Sequence, residues 1–160
     1  MKLDRRDTQI LAALQQDGRR SVVELAELVG LSPTPCARRL RQLEEAGVIQ
    51  GYTAVVEPRA LGLSVQAFVQ VKLERHTDEN VEQFKRALPQ LDEVIGCFAL
   101  TGAHDFMLHV VVPDLDSLQT VVLRKLLKIP SVRDVQSSIV LETVKRSPRL
   151  PLAHLDAGAD

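Results

Sequence analysis

The chain has 160 residues, 45% of them apolar and 26% charged, with a formal net charge of −1. That is material for one ordinary domain or two small ones, and the balanced charge excludes a globally basic nucleic-acid binder, so any basic surface has to be local. Aromatic residues make up only 3% and Trp is missing, which argues against reading single strands by stacking bases on exposed rings. Residues 1–7 hold no apolar core region and no later apolar run approaches membrane-spanning length, so a cytoplasmic protein without membrane contact is expected. Cys36 and Cys97 show no CxxC spacing and fall at apolar positions of amphipathic patterns, which predicts buried thiols.

Taken in order, Asp4 and Asp7 are spaced as a capping pair for a first helix running to Gln16, with Ile10, Leu11 and Leu14 as its apolar stripe. Asp17-Gly18 ends it. Ser21 and Glu24 form a full capping box for a second helix, with Leu25, Leu28 and Val29 inward and Gly30 as its stop. Only Leu31 to Pro33 separate it from a third helix, for which Thr34 is the predicted N-cap, Pro35 the first helical residue and Gly47 the left-handed exit. Cys36, Leu40 and Leu43 share one side of that helix; Arg38 and Gln42 point the opposite way, flanked by Thr34, Arg39 and Arg41. Guanidinium forks match phosphate oxygens and guanine edges, so this pattern points to a DNA-reading helix in a helix-turn-helix. The plainer reading is a solvated polar face.

Residues 48–56, rich in β-branched side chains around Gln50-Gly51, predict a short hairpin or strand pair acting as a wing. Pro58 and Gly62 then mark a boundary. Beyond it the period becomes alternating. Val65 to Leu73 reads as a strand with Phe68 on its second face, and 78–88 as a helix with Val81, Phe84 and Leu88 inward. Val94 to Thr101 and Phe106 to Val112 read as strands around a turn at Gly102–Asp105. A helix capped by Asp114 or Asp116 follows, then a last strand from Val132 to Val144. The order β-α-β-β-α-β is the ferredoxin-like unit, so the fold class is α+β: a winged helix-turn-helix followed by a ferredoxin-like domain. Two helices cover one side of a four-stranded sheet, and the apolar residues on its other side call for a second copy. A two-fold dimer would also set paired reading heads about one DNA turn apart, ~34–36 Å.

The segment Leu31-Ser32-Pro33-Thr34-Pro35-Cys36, continued by Arg38-Arg39, Leu43-Glu44, Gly47-Val48-Ile49 and Gly51-Tyr52, resembles the recognition segment of the Lrp/AsnC transcription regulators. Thr101-Gly102-Ala103-His104-Asp105-Phe106 is similar to the Gly-x-x-Asp turn of that family's ligand domain, and the likeness extends over residues 3–147. The resemblance implies a DNA-binding domain over 1–57 and an effector-binding and oligomerisation domain over 64–147; the Pro58/Gly62 punctuation makes 58–63 the linker, and Pro148, Pro151 and Gly158 mark 148–160 as a loosely ordered tail. It implies double-stranded DNA as partner, an amino acid as effector, no cofactor or metal, and a homodimer assembling to tetramers, octamers or larger forms. The implied effector site comprises Thr101, Gly102, Ala103, His104 and Asp105 where protomers meet, with Ser138 on the last strand. Physically, Gly102 can expose backbone N–H groups to a carboxylate, and Asp105 can accept from an ammonium group; the plainer alternative is an ordinary turn in which Asp105 bonds its own backbone. The DNA-facing candidates are Ser32, Thr34, Pro35, Arg38, Arg39, Arg41 and Gln42, with Arg39 at the edge of the polar face and able to pack on the wing instead.

Two rivals belong to other classes. One is a dimeric α+β barrel enzyme, disfavoured because His76, His104, His109 and His154 show no ligand spacing and no glycine-rich phosphate loop occurs. The other is an amino-acid sensor acting through protein partners, disfavoured by the outward arginines. No catalytic residue is expected.

Overall fold

The computed structural model describes residues 2–156, which divide into two compact units: residues 2–55 with 145–156, and residues 56–144. In the first unit three helices, α1 (Arg5–Gln16), α2 (Val22–Val29) and α3 (Pro33–Glu45), close on a small core of Ile10, Leu25, Ala26, Val29, Cys36 and Leu43. The caps of α1 and α2 form as their residue types dictate. Asp4 accepts from the Arg6 and Asp7 amides while Asp7 returns a bond to the Asp4 amide, and Ser21 and Glu24 do the same for α2.

Helix α3 starts two residues earlier than its sequence suggests. Ser32, not Thr34, is the N-cap, and Pro33, not Pro35, is the first helical residue. Both prolines fall in the first turn, where a missing N–H is harmless, so composition could not choose between the two starts. At the other end Gly47 takes φ 69°, and the Val48 and Gly47 amides bond back to the Leu43 and Glu44 carbonyls in a Schellman exit.

The expected wing does not form a ladder. Residues 50–57 contain no strand, and Val55 and Val56 are exposed. β-branched residues favour extended backbone, but a hairpin also needs a partner run, and the Pro58–Leu61 turn follows at once. Residues 148–155 return to α1: the Gln15 amide group donates to the Leu150 carbonyl and accepts from its N–H, and a short helix, α6 (Ala153–Asp156), follows. The last four residues of the tail, 157–160, lie outside the described residues.

The second unit is a four-stranded antiparallel sheet in the order β2-β3-β1-β4, formed by β1 (Val65–Leu73), β2 (Val94–Ala99), β3 (Phe106–Val112) and β4 (Val132–Ile139). β1 is central, pairing Val71 with both Phe106 and Val135. Its alternate residues Ala67, Val69, Val71 and Leu73 are buried beneath α4 (Asp78–Ala87) and α5 (Leu115–Gln119), the latter extended by a wider turn through Lys125. Thr77 caps α4 and Asp114, not Asp116, caps α5. The Phe84 and Phe106 rings meet at 4.7 Å in the middle of this core.

β2 and β4 stop short of their expected ends. β4 ends at Ile139 rather than Val144 because its partner runs out: Ile139 pairs with Ala67, and the Val140 amide makes the last bond, to Gln66. The second face of the sheet carries Phe68 stacked on His109 at 5.0 Å, exposed Phe98, Val111 and several glutamines. That mixture is apolar at its centre and polar along β4. Removing the Phe84 ring should cost the sheet unit about 3–5 kcal/mol in Phe84→Ala, read by chemical denaturation; a loss under about 1 kcal/mol would contradict this packing.

Candidate functional site

Because Cys36 and Leu43 are buried and Leu40 half-buried, the opposite side of α3 is forced outward. Thr34, Arg38, Arg41 and Gln42 are exposed there and line one shallow concavity with Ala37 and Glu45. Arg38, Arg41 and Gln42 have no ion pair or side-chain hydrogen bond among the described residues. Ser32 is exposed with its hydroxyl uncommitted to the cap, and Pro35 is half-buried beside it.

Arg39 is placed differently. Its Nη1 donates to Asp4 Oδ2 at 2.7 Å and to Asp7 Oδ1 at 2.8 Å, so the guanidinium is spent on the capping box of α1 rather than facing outward or packing on residues 48–56. Asp7 is almost fully buried, so its charge requires this partner. Arg6, in the same first turn of α1, donates to the Val29 carbonyl at the end of α2. The N-terminus of α1 thereby holds both helices of the helix-turn-helix. Sequence reasoning missed this pairing because it joins residues 32 and 35 positions apart, and only the closeness of two carboxylates at Asp4 and Asp7 hinted that a cation was wanted.

Asp4 is held below its ordinary carboxylate value of 3.8 by the Asp7 amide, and against the opposing effect of burial by the Arg39 guanidinium. A depressed folded-state value means that the stabilisation is present above 3.8 and is lost as pH falls through the folded value. Asp4→Asn should therefore lower the denaturation midpoint near neutral pH, and the gap to the parent chain should close as pH drops below about 4. A gap that stays constant across that range would refute the pairing.

In the sheet unit the turn between β2 and β3 places Thr101, Gly102 and Ala103 in solvent and leaves His104 and Asp105 half-buried. Gly102 takes φ 117°, where a side chain is strained. The amides of Thr101 to His104 have no acceptor among the described residues, whereas Leu100 and Asp105 anchor the turn at 2.9 and 3.0 Å. Asp105 is neither a free acceptor nor bonded to its own backbone. Its Oδ2 accepts the Leu73 amide at 2.8 Å, at the register shift in β1, and its Oδ1 meets His76 Nδ1 at 2.9 Å. Burial pushes its carboxyl up, but the Leu73 amide and His76 outweigh this and hold it below the usual range. These contacts tie the turn to β1 and to the segment after it.

Ser138 is exposed on the second face of β4, paired with Phe68. Phe68 is three residues along β1 from Val71, the partner of Phe106, and β4 lies two strands from β3, so Ser138 is about 14 Å from Phe106, with the turn beyond it. One protomer does not bring them together. Cys36 is buried and Cys97 half-buried, both as free thiols pushed up by burial. Among the described residues no group of three or more His, Cys, Asp or Glu is placed to hold a metal, and no helix is long and apolar enough to cross a membrane.

Comparison with known proteins matches the same two parts. A winged helix-turn-helix DNA-binding model covers residues 3–50, and an Lrp/AsnC ligand binding domain model covers residues 66–150. The leucine-responsive regulatory protein of Escherichia coli K12 is 45% identical over 148 residues, covering 92% of this chain and 90% of that protein. A Neisseria meningitidis transcriptional regulator solved as an L-Met complex superposes with a TM-score of 0.91 at 43% identity, covering 96% of this chain and 99% of that one. An AsnC family transcriptional regulator from Agrobacterium tumefaciens follows at a TM-score of 0.88 and 36% identity, over 95% of this chain and 99% of its own. A DNA-binding head followed by a ligand-binding sheet defines the class, a ligand-responsive transcription regulator. More particularly, the chain belongs to the Lrp/AsnC family.

Proposed function

We propose that the chain binds specific duplex DNA sequences through the outer face of α3, and that a small amino acid sets its grip or its assembly. The observation that carries the reading is the uncommitted, exposed pair Arg38 and Arg41 on the second helix of a helix-turn-helix. The N-terminal residues of such a helix lie nearest base edges, which assigns Ser32, Thr34 and Pro35 to the groove floor. Arg38 and Gln42 follow as base or phosphate contacts and Arg41 as a phosphate contact. Arg39 acts as a positioning residue for this face. The alternative of a protein-binding head has no comparable feature in its favour.

For the effector, the four amides of Thr101 to His104, which have no acceptor among the described residues, are donors suited to a carboxylate. The relatives support an amino acid, one being named leucine-responsive and another solved with L-Met. Because Ser138 lies too far along its own sheet to share one small ligand with the turn, it contributes across a protomer interface or through packing of the second sheet face. A homodimer pairing those faces, assembled to tetramers, octamers or larger forms, follows from this arrangement. The effector works by binding one assembly or dimer arrangement better than another, since only differential affinity moves such an equilibrium. The chain acts as a regulator in the cytoplasm rather than as an enzyme.

The direct test is a shift assay with a fragment of the chain's own promoter region, titrated in the presence and absence of L-leucine and L-methionine. Arg38→Ala should weaken binding by about 1–3 kcal/mol if it reads a base, and unchanged binding would remove it from the interface. Gly102→Val should abolish the amino-acid response, through backbone strain at the turn, while leaving dimerisation intact. A retained response would place the effector elsewhere.

A further inference from the structure

The head unit contains a feature that neither DNA contact nor effector binding uses. Leu11 and Leu14 of α1, with Ile49 and Tyr52 from the segment after α3, form an apolar groove against which Leu152 and Leu155 of the C-terminal segment are seated. Gln15 holds the segment's backbone by the reciprocal pair of bonds to Leu150. The seating is loose. An open cavity of about 810 Å³ remains between segment and groove, Leu152 and Leu155 are only half-buried, and Leu150 is 73% exposed. Two bonds from the Gln15 side chain and two half-buried leucines stand against the cost of ordering eight residues, so little holds the segment in place.

The groove also leads to the DNA-facing helix. Tyr52 lines it and donates its hydroxyl to Glu44 of α3 at 2.9 Å. The chain order adds a second connection: residues 56–144 are inserted between two segments of the head unit, so the docked segment follows β4 after residues 140–147.

We infer that residues 148–155 are a strap whose docking in the α1 groove of their own head is coupled to duplex binding by α3, so that the last strand of the ligand-binding sheet reaches the head through a tether separate from residues 56–63. The inference rests on the reading of α3 as the DNA-binding face. By linkage, a strap whose docking alters DNA affinity must itself be shifted by DNA, and the strap then offers the sheet a handle on the head.

Hydrogen exchange and DNA affinity measured on the full chain decide the matter, with Leu152→Asp/Leu155→Asp as the undocking variant and Leu152→Met/Leu155→Met as its conservative control. Undocking should speed exchange of the Leu11 to Gln16 amides at least about five-fold, leave the β1 and β3 amides unchanged and alter affinity for the promoter duplex at least about three-fold. The methionine variant should restore both readouts. Unchanged exchange in α1 would show that the strap does not dock, and altered exchange with unchanged affinity would show that it merely dresses the head; either overturns the inference. Protection of α1 that grows with protein concentration would seat the strap of a second copy there and overturn the assignment to its own head. A parent chain that binds no duplex would instead defeat the DNA-binding reading itself, a result distinct from a parent that binds and a variant that matches it.

Discussion

The Arg39 guanidinium, held between Asp4 and Asp7, is the contact on which the geometry of the head turns. The core beneath α3 is small, with Cys36 and Leu43 fully buried and Leu40 half-buried from that helix, and these side chains choose which face turns inward without fixing it finely. The bridge adds a directional constraint at distances of 2.7 and 2.8 Å, and the carboxylates it engages are themselves fixed by the cap of α1. The buried side turns Arg38, Arg41 and Gln42 outward, and the bridge sharpens their direction. A charge that looks like a ligand contact is used to aim its neighbours.

The sheet unit repeats this logic with the opposite sign. Asp105 has the residue type expected to greet an ammonium group, yet both of its oxygens are engaged, by the Leu73 amide and by His76. What it produces is a pinned turn with a run of amides facing solvent. The effector site proposed above then rests on the N–H groups of that run, the part of the backbone that suits a carboxylate. In both units the charged residue nearest the candidate contact is engaged within the protein, Arg39 with Asp4 and Asp7 and Asp105 with the Leu73 amide and His76.

Much of this was legible in the residues and some of it could not have been. Capping boxes announced α1 and α2 because they are local devices, complete within four residues. The buried faces of β1 and β3 were legible because a period of two has only one inward set in a sheet covered on one side. The start of α3 was ambiguous because two prolines each satisfy the first-turn rule. The missing ladder after Val48 and the early end of β4 depend on whether a partner strand exists at that register, which local composition does not state. Arg39, Asp105 and the strap on Gln15 are all contacts between residues some 30 to 135 positions apart, and no local pattern encodes them.

The measurement that bears most directly on this account is the salt dependence of duplex affinity for the parent chain, Arg41→Ala and Arg39→Ala. A phosphate-contacting arginine contributes close to one unit, about 0.9, to the slope of log affinity against log salt, whereas a positioning arginine contributes none. The account predicts a slope reduced by roughly that amount in Arg41→Ala. In Arg39→Ala the slope should be unchanged even though affinity falls. Equal reductions in both variants would contradict it, placing Arg39 on the DNA and leaving the orientation of α3 unexplained.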